Sequence, residues 1–504
     1  MIAVKKLADK IISPYGTIID SFVHKLSLSF CVLPLMIMNA AADEASFSFK
    51  DHALQKMHEH NVVGAAVGTI ENGQLSDIKY LGIESVNTQE PVDSNSLFQV
   101  GSVSKPVAAW AAMTLVRDGK LDLDEPVEPY LTRWRIPDSS FDIQQVTLRR
   151  LLSHTAGFSL GGYGGFPEGQ KLPSLEESLS GNNNGAGDLE LFQEPGAGFR
   201  YSGGGYTLLQ LLIEEISGMS FNDYTQLAVL QPLGMTKSSY EPSVQLLKQR
   251  VQPHGPSLYT IPQHDFRAQA AASLHTTAND LVRFVLANLN ENTVLSSDMV
   301  GIMHSPVADA GFADIGLGFF SSANGRLVGH QGANFGWRAE IQFDHLTGNG
   351  LVIMTNSEGA AQFLADVKCD WDARQAQPLL TKACDEMKSQ ANLANVLVSI
   401  IACLIFIVIS CLVWMMRTGR AHMIWPRTKA RLVGLLIAVS LTLCIVAFIY
   451  TPLGVYLIGG FRSIFATIHY APPLVAKLVP WLCCLLVLTW TVFFVSRTKI
   501  QSDA

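Results

Sequence analysis

A serine and a lysine three residues apart, Ser102 and Lys105, open a run whose apolar positions are Val107, Ala108, Trp110, Ala111, Leu115 and Val116. That periodicity predicts a helix over Ser102–Arg117 after an extended segment Phe98–Gly101, with hydroxyl and amine one turn apart on one face. A serine hydroxyl is a weak nucleophile until a neighbour takes its proton, and a lysine can take it only where burial or another cation lowers its pKa. Backbone N–H groups at the start of such a helix also favour negative charge developing beside Ser102. Taken alone, the pair fits equally well an N-cap serine followed by a solvated lysine. Two later patterns bear on the choice: Tyr201-Ser202-Gly203, and His330-Gln331-Gly332 in a strand expected over Arg326–Gly332, where a glycine lets substrate approach the backbone closely.

The text around these residues is more specific than the residues themselves. Phe98-Gln-Val-Gly-Ser-Val-Ser-Lys105, Asp118-Gly-Lys-Leu-Asp-Leu-Asp-Glu-Pro-Val127 and Leu151-Leu-Ser-His-Thr-Ala-Gly-Phe158 come in that order. They are followed by Pro195-Gly-Ala-Gly-Phe-Arg-Tyr-Ser-Gly-Gly-Gly-Tyr206, Gln231-Pro-Leu-Gly-Met235 and Gly329-His-Gln-Gly-Ala-Asn-Phe-Gly-Trp337. The series, spanning about residues 48–360, resembles the serine β-lactamase and penicillin-binding-protein superfamily, in its branch related to class C β-lactamases. The resemblance implies an α/β (α+β) fold, an antiparallel sheet flanked by helices with a helical lobe inserted and a cleft between. It implies Ser102 as nucleophile, Lys105 and Tyr201 as proton relay, and the backbone N–H groups of Ser102 and Ala333 as an oxyanion hole beside Gly332.

Two positions depart from that pattern. His330 stands where many β-lactamases carry lysine, and is mostly neutral at pH 7; Gly203 stands where Tyr-x-Asn is commoner, so a side-chain amide is missing. Both weaken the expectation of efficient β-lactamase activity and leave acyl transfer intact. His154 invites a reading as general base, but the resemblance puts it in a turn where it satisfies backbone groups. For Trp337 and Arg338, contact with a substrate ring or carboxylate and plain packing both stand open, and neither is assigned a catalytic role.

Charged residues are only 16% of the chain, below the ~25% usual for soluble domains, and the deficit is concentrated after residue 390. Leu393–Met416, Leu432–Tyr450 and Leu478–Val495 are uncharged apolar runs, each long enough to cross a hydrocarbon core of ~30 Å as a helix. Arg417, Arg420, Arg427, Lys429 and Arg431 follow the first run, and Arg497 and Lys499 the third. The positive-inside rule therefore places that loop and the tail in the cytoplasm, with residues 43–390 on the periplasmic or extracellular side of the cell (inner) membrane. Residues 1–42, with Lys5, Lys6, Lys10 and Lys25 before the apolar run Leu26–Met38 and then Ala40-Ala41-Ala42, have the form of a signal peptide or a retained anchor.

Of eight cysteines, only Cys369 and Cys384 lie outside the expected spans and leader. An oxidising compartment permits them to pair, which would contribute roughly 3 kcal/mol, or to remain as two thiols. No Cys/His spacing implies zinc, and no cofactor is implied. Residues 391–504 hold nine basic residues and one acidic, leaving a net charge of −15 on the first 390 residues; so acidic an outer domain disfavours nucleic acid. Strands are expected at Val62–Ile70, Lys79–Ile83 and near 326–355, a sheet built from both ends of the domain, with an opening helix over Phe47–His60. Gly161–Gly198 reads as a long loop.

The sequence thus predicts a membrane-anchored serine hydrolase acting on an amide or ester of a small molecule or peptide through a Ser102 acyl-enzyme. Esterase, cell-wall DD-peptidase and D-amino-acid prodrug peptidase stand open within the enzyme class, the last because the layout resembles peptidases that remove acyl-D-amino-acid caps during export. A penicillin-type sensor that does not turn over is the alternative outside it. The membrane helices leave three roles open: anchoring, binding a lipophilic substrate, or holding a homodimer.

Overall fold

The computed structural model describes residues 48–418 apart from Gly185, Pro256, Ser257 and Ala323, together with residues 421–423 and 495–497. The expected leader, the span at 432–450 and all but the last residue of the span at 478–495 lie outside the described residues. Phe49–Thr381 form one compact unit, and the described residues from Lys382 onward belong to a second.

The first unit opens with helix α1 (Phe49–Glu59) and the hairpin β1 (Gly64–Glu71) and β2 (Gln74–Gly82). A buried helix α2 (Ser104–Arg117), α3 (Gly203–Ser217) and α4 (Ala278–Leu289) belong to the long middle of the chain. Six strands follow: β3 (Ala308–Asp309), β4 (Asp314–Ile315), β5 (Phe320–Ser322), β6 (Leu327–Asn334), β7 (Trp337–Asp344) and β8 (Asn349–Thr355), and then α5 (Ala361–Ala373). The eight strands make one antiparallel sheet in the order β2-β1-β8-β7-β6-β5-β4-β3, with β1 against β8 (Val67 opposite Ile353). Strands from the start and the end of this unit therefore pair inside the sheet.

β1 shows why its sequence lacks a polar alternation. Successive side chains point to opposite faces, and here both faces are covered: Ala65 and Val67 join Met57, Phe363 and Val367 of α1 and α5, while Ala66 and Ile70 join the larger core. Gly68 lets α4 close on the sheet, since a Cβ there would lie 2.7 Å from Val282 Cγ2. α1 and α5 are clasped at their outer edge by His60 Nε2 and Asp366 (2.8 Å) and by His52 Nδ1 and Asp370 (3.3 Å).

The larger core is the helical lobe, and α2 runs through its middle. Val107 to Met113 are all at most 1% exposed, so this helix has no polar face to give to water and Lys105 is carried in with it. The run of alanines allows neighbours to approach on every side.

Three expectations are corrected in detail. The nucleophile segment is a tight 3₁₀ turn, Gly101–Val103, before α2 begins at Ser104, because Gly101 turns the chain at φ +52°. β2 is longer than expected. Gly161–Gly198 is not a plain loop: it holds a short helix, Leu175–Leu179, closed by a Ser174/Glu177 capping box, and small pairings of Phe166–Pro167 with His264–Asp265 and Ser180–Gly181 with Gly187–Asp188.

In the second unit, helix α6 (Thr381–Arg417) carries apolar side chains exposed around it, Val396, Ile400, Leu404, Ile407 and Trp414 among them. Its stretch Thr381–Met415, with a mean hydropathy of 3.3 over its most apolar window, is long and apolar enough to cross a membrane. Residues Ala421–Met423 pair antiparallel with Val495–Arg497. Cys369 and Cys384 are both disulfide-bonded, whereas Cys403 and Cys411 are free thiols.

Candidate active site

The 3₁₀ turn holds Ser102 half-buried at the foot of α2, and the residue three further on points back to it. Lys105 Nζ lies 3.0 Å from Ser102 Oγ and donates a 2.7 Å hydrogen bond to the carbonyl of Ala271. Tyr201 comes from the stretch just before α3. Ser202 caps that helix by accepting from the N–H of Gly205 (2.9 Å), and its own N–H donates to His154 Nδ1 (3.1 Å), so the residue before the cap is fixed from both sides. Its hydroxyl thereby reaches Ser102 Oγ at 2.9 Å.

Lys105 is 2% exposed, and its surroundings are aromatic rather than acidic: Nζ sits 4.9 Å from the Tyr201 ring centre and 5.5 Å from that of Tyr206. Burial pushes its pKa down from 10.5 to about 7, which gives a neutral amine able to accept the serine proton near neutral pH. Tyr206, whose hydroxyl donates to the Leu152 carbonyl (2.9 Å), is buried and its pKa is pushed well up, so it stays a neutral phenol.

Strand β6 passes directly under the turn. A Cβ at Gly332 would lie 1.9 Å from the Val100 carbonyl oxygen and 3.0 Å from Ser102 N, and one at Gly101 would lie 2.6 Å from Ala333 N. Two bare backbones are needed for this approach, and they bring the amides of Ser102 and Ala333 to one small patch. Beyond it, Asn334 Nδ2 donates to Gln99 Oε1 (2.6 Å) and to the Ala272 carbonyl (3.0 Å).

His330 is also in the site, 6.5 Å from Tyr201 between ring centres, with Nδ1 2.6 Å from the Gln331 carbonyl. Burial, aided by the charge of Lys105, holds its pKa at about 3, so it is neutral and offers no cation for a carboxylate. His154, pushed well below its ordinary value by burial and then by Lys105 and His330, packs 4.3 Å from the Tyr201 ring and supports backbone rather than substrate. Its φ of +57° matches the turn expected for it. Trp337 and Arg338 are 1% and 6% exposed, Trp337 within the larger core.

At Gly203 the space for a side chain is tight: a Cβ would lie 3.3 Å from the Gly161 carbonyl oxygen, 3.4 Å from Gly162 Cα and 3.6 Å from the Tyr163 ring. The Ala271 carbonyl serves Lys105 instead. Gly203→Asn is accordingly expected to destabilise the chain by roughly 1–2 kcal/mol without raising penicillin turnover; thermal unfolding and penicillin hydrolysis check this, and a gain in turnover would show that residues 161–163 yield. The Ala271 carbonyl and Tyr206 escaped sequence reasoning because each reaches the site through tertiary packing alone, whereas His154 satisfies backbone groups in a turn as the resemblance implied.

A serine on a turn, a lysine buried behind it and a sheet edge beneath define a serine-hydrolase-like fold of the β-lactamase and penicillin-binding kind. The chain belongs to the Beta-lactamase family, whose profile matches residues 49–368. It is 23% identical over 432 residues to Protein flp of Staphylococcus aureus (strain MRSA252), covering 81% of this chain and 82% of that one. The octameric penicillin-binding protein homologue from Pyrococcus abyssi superimposes with a TM-score of 0.57 at 23% identity, over 66% of this chain and 78% of its own. SurE, solved with D-Leu, does so at 0.53 and 27% identity, over 66% and 74%.

Proposed function

We propose that this protein is a membrane-anchored serine hydrolase that cleaves an amide or ester by way of a Ser102 acyl-enzyme. The observation that carries the reading is the bracketing of Ser102 Oγ by a lysine held near its neutral form at 3.0 Å and a tyrosine hydroxyl at 2.9 Å. Ser102 Oγ attacks the carbonyl carbon while its proton passes to Lys105 Nζ. The oxyanion lies against the N–H groups of Ser102 and Ala333. Tyr201 hands its proton to the departing nitrogen or oxygen and recovers one from Lys105; water then attacks the acyl-serine by the reverse relay. The similarity to SurE, solved with D-Leu, supports a D-configured residue beside the scissile bond, and so the prodrug-peptidase or DD-peptidase forms of the reading.

The anchoring rests on α6 and on the basic residues that follow it. In this reading the chain crosses twice more between Ala421–Met423 and Val495–Arg497, in keeping with their pairing, and the basic residues beside both segments favour the cytoplasmic side for them and the periplasmic or extracellular side for the hydrolase unit. Association of the membrane helices into a homodimer belongs to the same reading.

The test is intact-mass analysis of the full chain in detergent micelles after brief exposure to a fluorophosphonate or a penicillin, with Ser102→Ala alongside. The expected result is a phosphonate adduct on wild type and none on the variant, with penicillin adducts that disappear on turnover. Absence of any adduct overturns the reading; a penicillin adduct that persists at one equivalent replaces it with a sensor.

A further inference from the structure

Three phenylalanines close a triangle against one wall of the site. Phe312 and Phe320 are 5.2 Å apart between ring centres, Phe199 and Phe320 6.0 Å, and Phe199 and Phe312 6.4 Å. Phe199 lies two residues before Tyr201; Phe320 is on β5; Phe312 is at the tip of the β3–β4 hairpin and is 73% exposed. The triangle does not stand apart from the chemistry. Phe320 is 5.2 Å from the His330 ring, His330 is 6.5 Å from Tyr201, and Phe199 is 6.0 Å from His154, so a continuous aromatic surface leads from the open hairpin tip to the phenol that meets Ser102.

A single exposed phenylalanine is ordinary, but a contiguous ring surface that opens to water and ends at reactive groups is a binding surface. Its side of the site follows from the proton path. Tyr201 protonates the group that departs, so that group lies on the Tyr201 side when the bond breaks, against the surface of Phe320 and Phe312. The other flank carries the amide of Asn334, held from behind by the buried Gln99. Charge points the same way. The hairpin 308–315 carries Asp309 and Asp314 and no basic residue, and His330 beside Phe320 is neutral, so neither repays the desolvation of an anion; the guanidinium of Arg200, next to Phe199, lies instead over the Phe192 ring at 3.8 Å.

We propose that Phe199, Phe312 and Phe320 form the subsite for the departing half of the substrate, and that this half is apolar or aromatic and carries no carboxylate. This rests on the Ser102 acyl-transfer reading and narrows it away from substrates that release a free amino-acid carboxylate at this position.

The experiment compares three esters of one acid, benzyl, ethyl and carboxymethyl butyrate, with the full chain in micelles and with Phe312→Ala, Phe320→Ala and the double variant. Rates are normalised to the fraction of each sample that takes up fluorophosphonate. The wild type is expected to favour benzyl over ethyl about tenfold in kcat/KM, with carboxymethyl slowest; each single variant cuts the benzyl/ethyl ratio several-fold, and the double variant brings it near one. A ratio unchanged in the variants, or carboxymethyl as the fastest ester, overturns the subsite. Variants that instead change discrimination between butyrate and phenylacetate of the same alcohol overturn it too, because the rings would then serve the acyl half. Turnover with an invariant ratio removes the subsite alone, whereas no turnover and no phosphonate adduct removes the acyl-transfer reading and the subsite with it.

Discussion

Exchanging Lys105 for methionine is expected to slow acylation of Ser102 by roughly a thousandfold and, in the same chain, to raise stability at neutral pH by about 2 kcal/mol. The first effect follows from the proton path: Nζ at 3.0 Å is the amine beside the serine hydroxyl, and its pKa of about 7 leaves it largely neutral, and so able to take the proton, above that pH. Wild-type acylation should therefore rise with pH through about 7 to a plateau, and the variant's residual rate should lack that step. The second effect follows from linkage. Lysine titrates at 10.5 in the ordinary state and about 7 when folded, so between these values the unfolded chain binds more protons and wild-type stability climbs with pH. Below about pH 7 the cost of burying the amine is present in full, on the order of 4 kcal/mol; above 10.5 it is gone. Methionine removes that cost but leaves the Ala271 carbonyl without its donor, which takes back about 1–3 kcal/mol. Thermal unfolding of both chains from pH 6 to 10.5 measures the difference, which should shrink as pH rises and reverse toward pH 10.5, where only the loss at the Ala271 carbonyl remains. A difference that stays flat would show that Lys105 keeps an ordinary pKa and is not the base.

The second large effect is expected at a residue with no side chain. Gly332→Ala puts a methyl carbon 1.9 Å from the Val100 carbonyl oxygen and 3.0 Å from Ser102 N, and both are backbone atoms that cannot swing aside. Either β6 or the 3₁₀ turn must retreat, which separates the amides of Ser102 and Ala333. Loss of oxyanion donors costs about a hundredfold to a thousandfold in kcat, so the phosphonate labelling rate should fall by at least two orders of magnitude. Gly301→Ala is the control, since its Cβ would meet nothing within 4 Å in the helix Ser297–His304 and labelling should be unaltered. Wild-type labelling by Gly332→Ala would mean that the two amides do not hold the oxyanion.

These effects differ in how far they could be foreseen. The contact of Ser102 with Lys105 is local: a spacing of three in a helical pattern brings the groups together whatever the rest of the chain does. Tyr201, a further 96 residues along, was legible only through motif order and family resemblance. The depression of the Lys105 pKa was not legible at all. A serine, a lysine and apolar neighbours are compatible with an exposed amine, and what buries this one is the arrival of Tyr206 on α3 and of the Ala271 segment, residues with no sequence pattern linking them to position 105. The phenylalanine triangle is similar, drawn from positions 199, 312 and 320 on three separate elements.

Elements behave likewise. Apolar runs and glycine punctuation located β1, the strands near 326–355 and α2 to within a few residues, and the length and composition of Leu393–Met416 marked it as able to span a membrane before any fold was known. The 3₁₀ turn at Gly101 was missed, because a positive φ is required by the backbone of β6 passing beneath, not by anything in the local sequence. By itself, then, the sequence determined the reagents, their order, and the division into an acidic first 390 residues and an apolar basic tail, since these depend on residue type and near-neighbour spacing. Only the tertiary structure decided that the lysine is desolvated, that space for a side chain at 203 is tight, and that an aromatic wall adjoins the nucleophile, since burial and long-range contact are properties of packing.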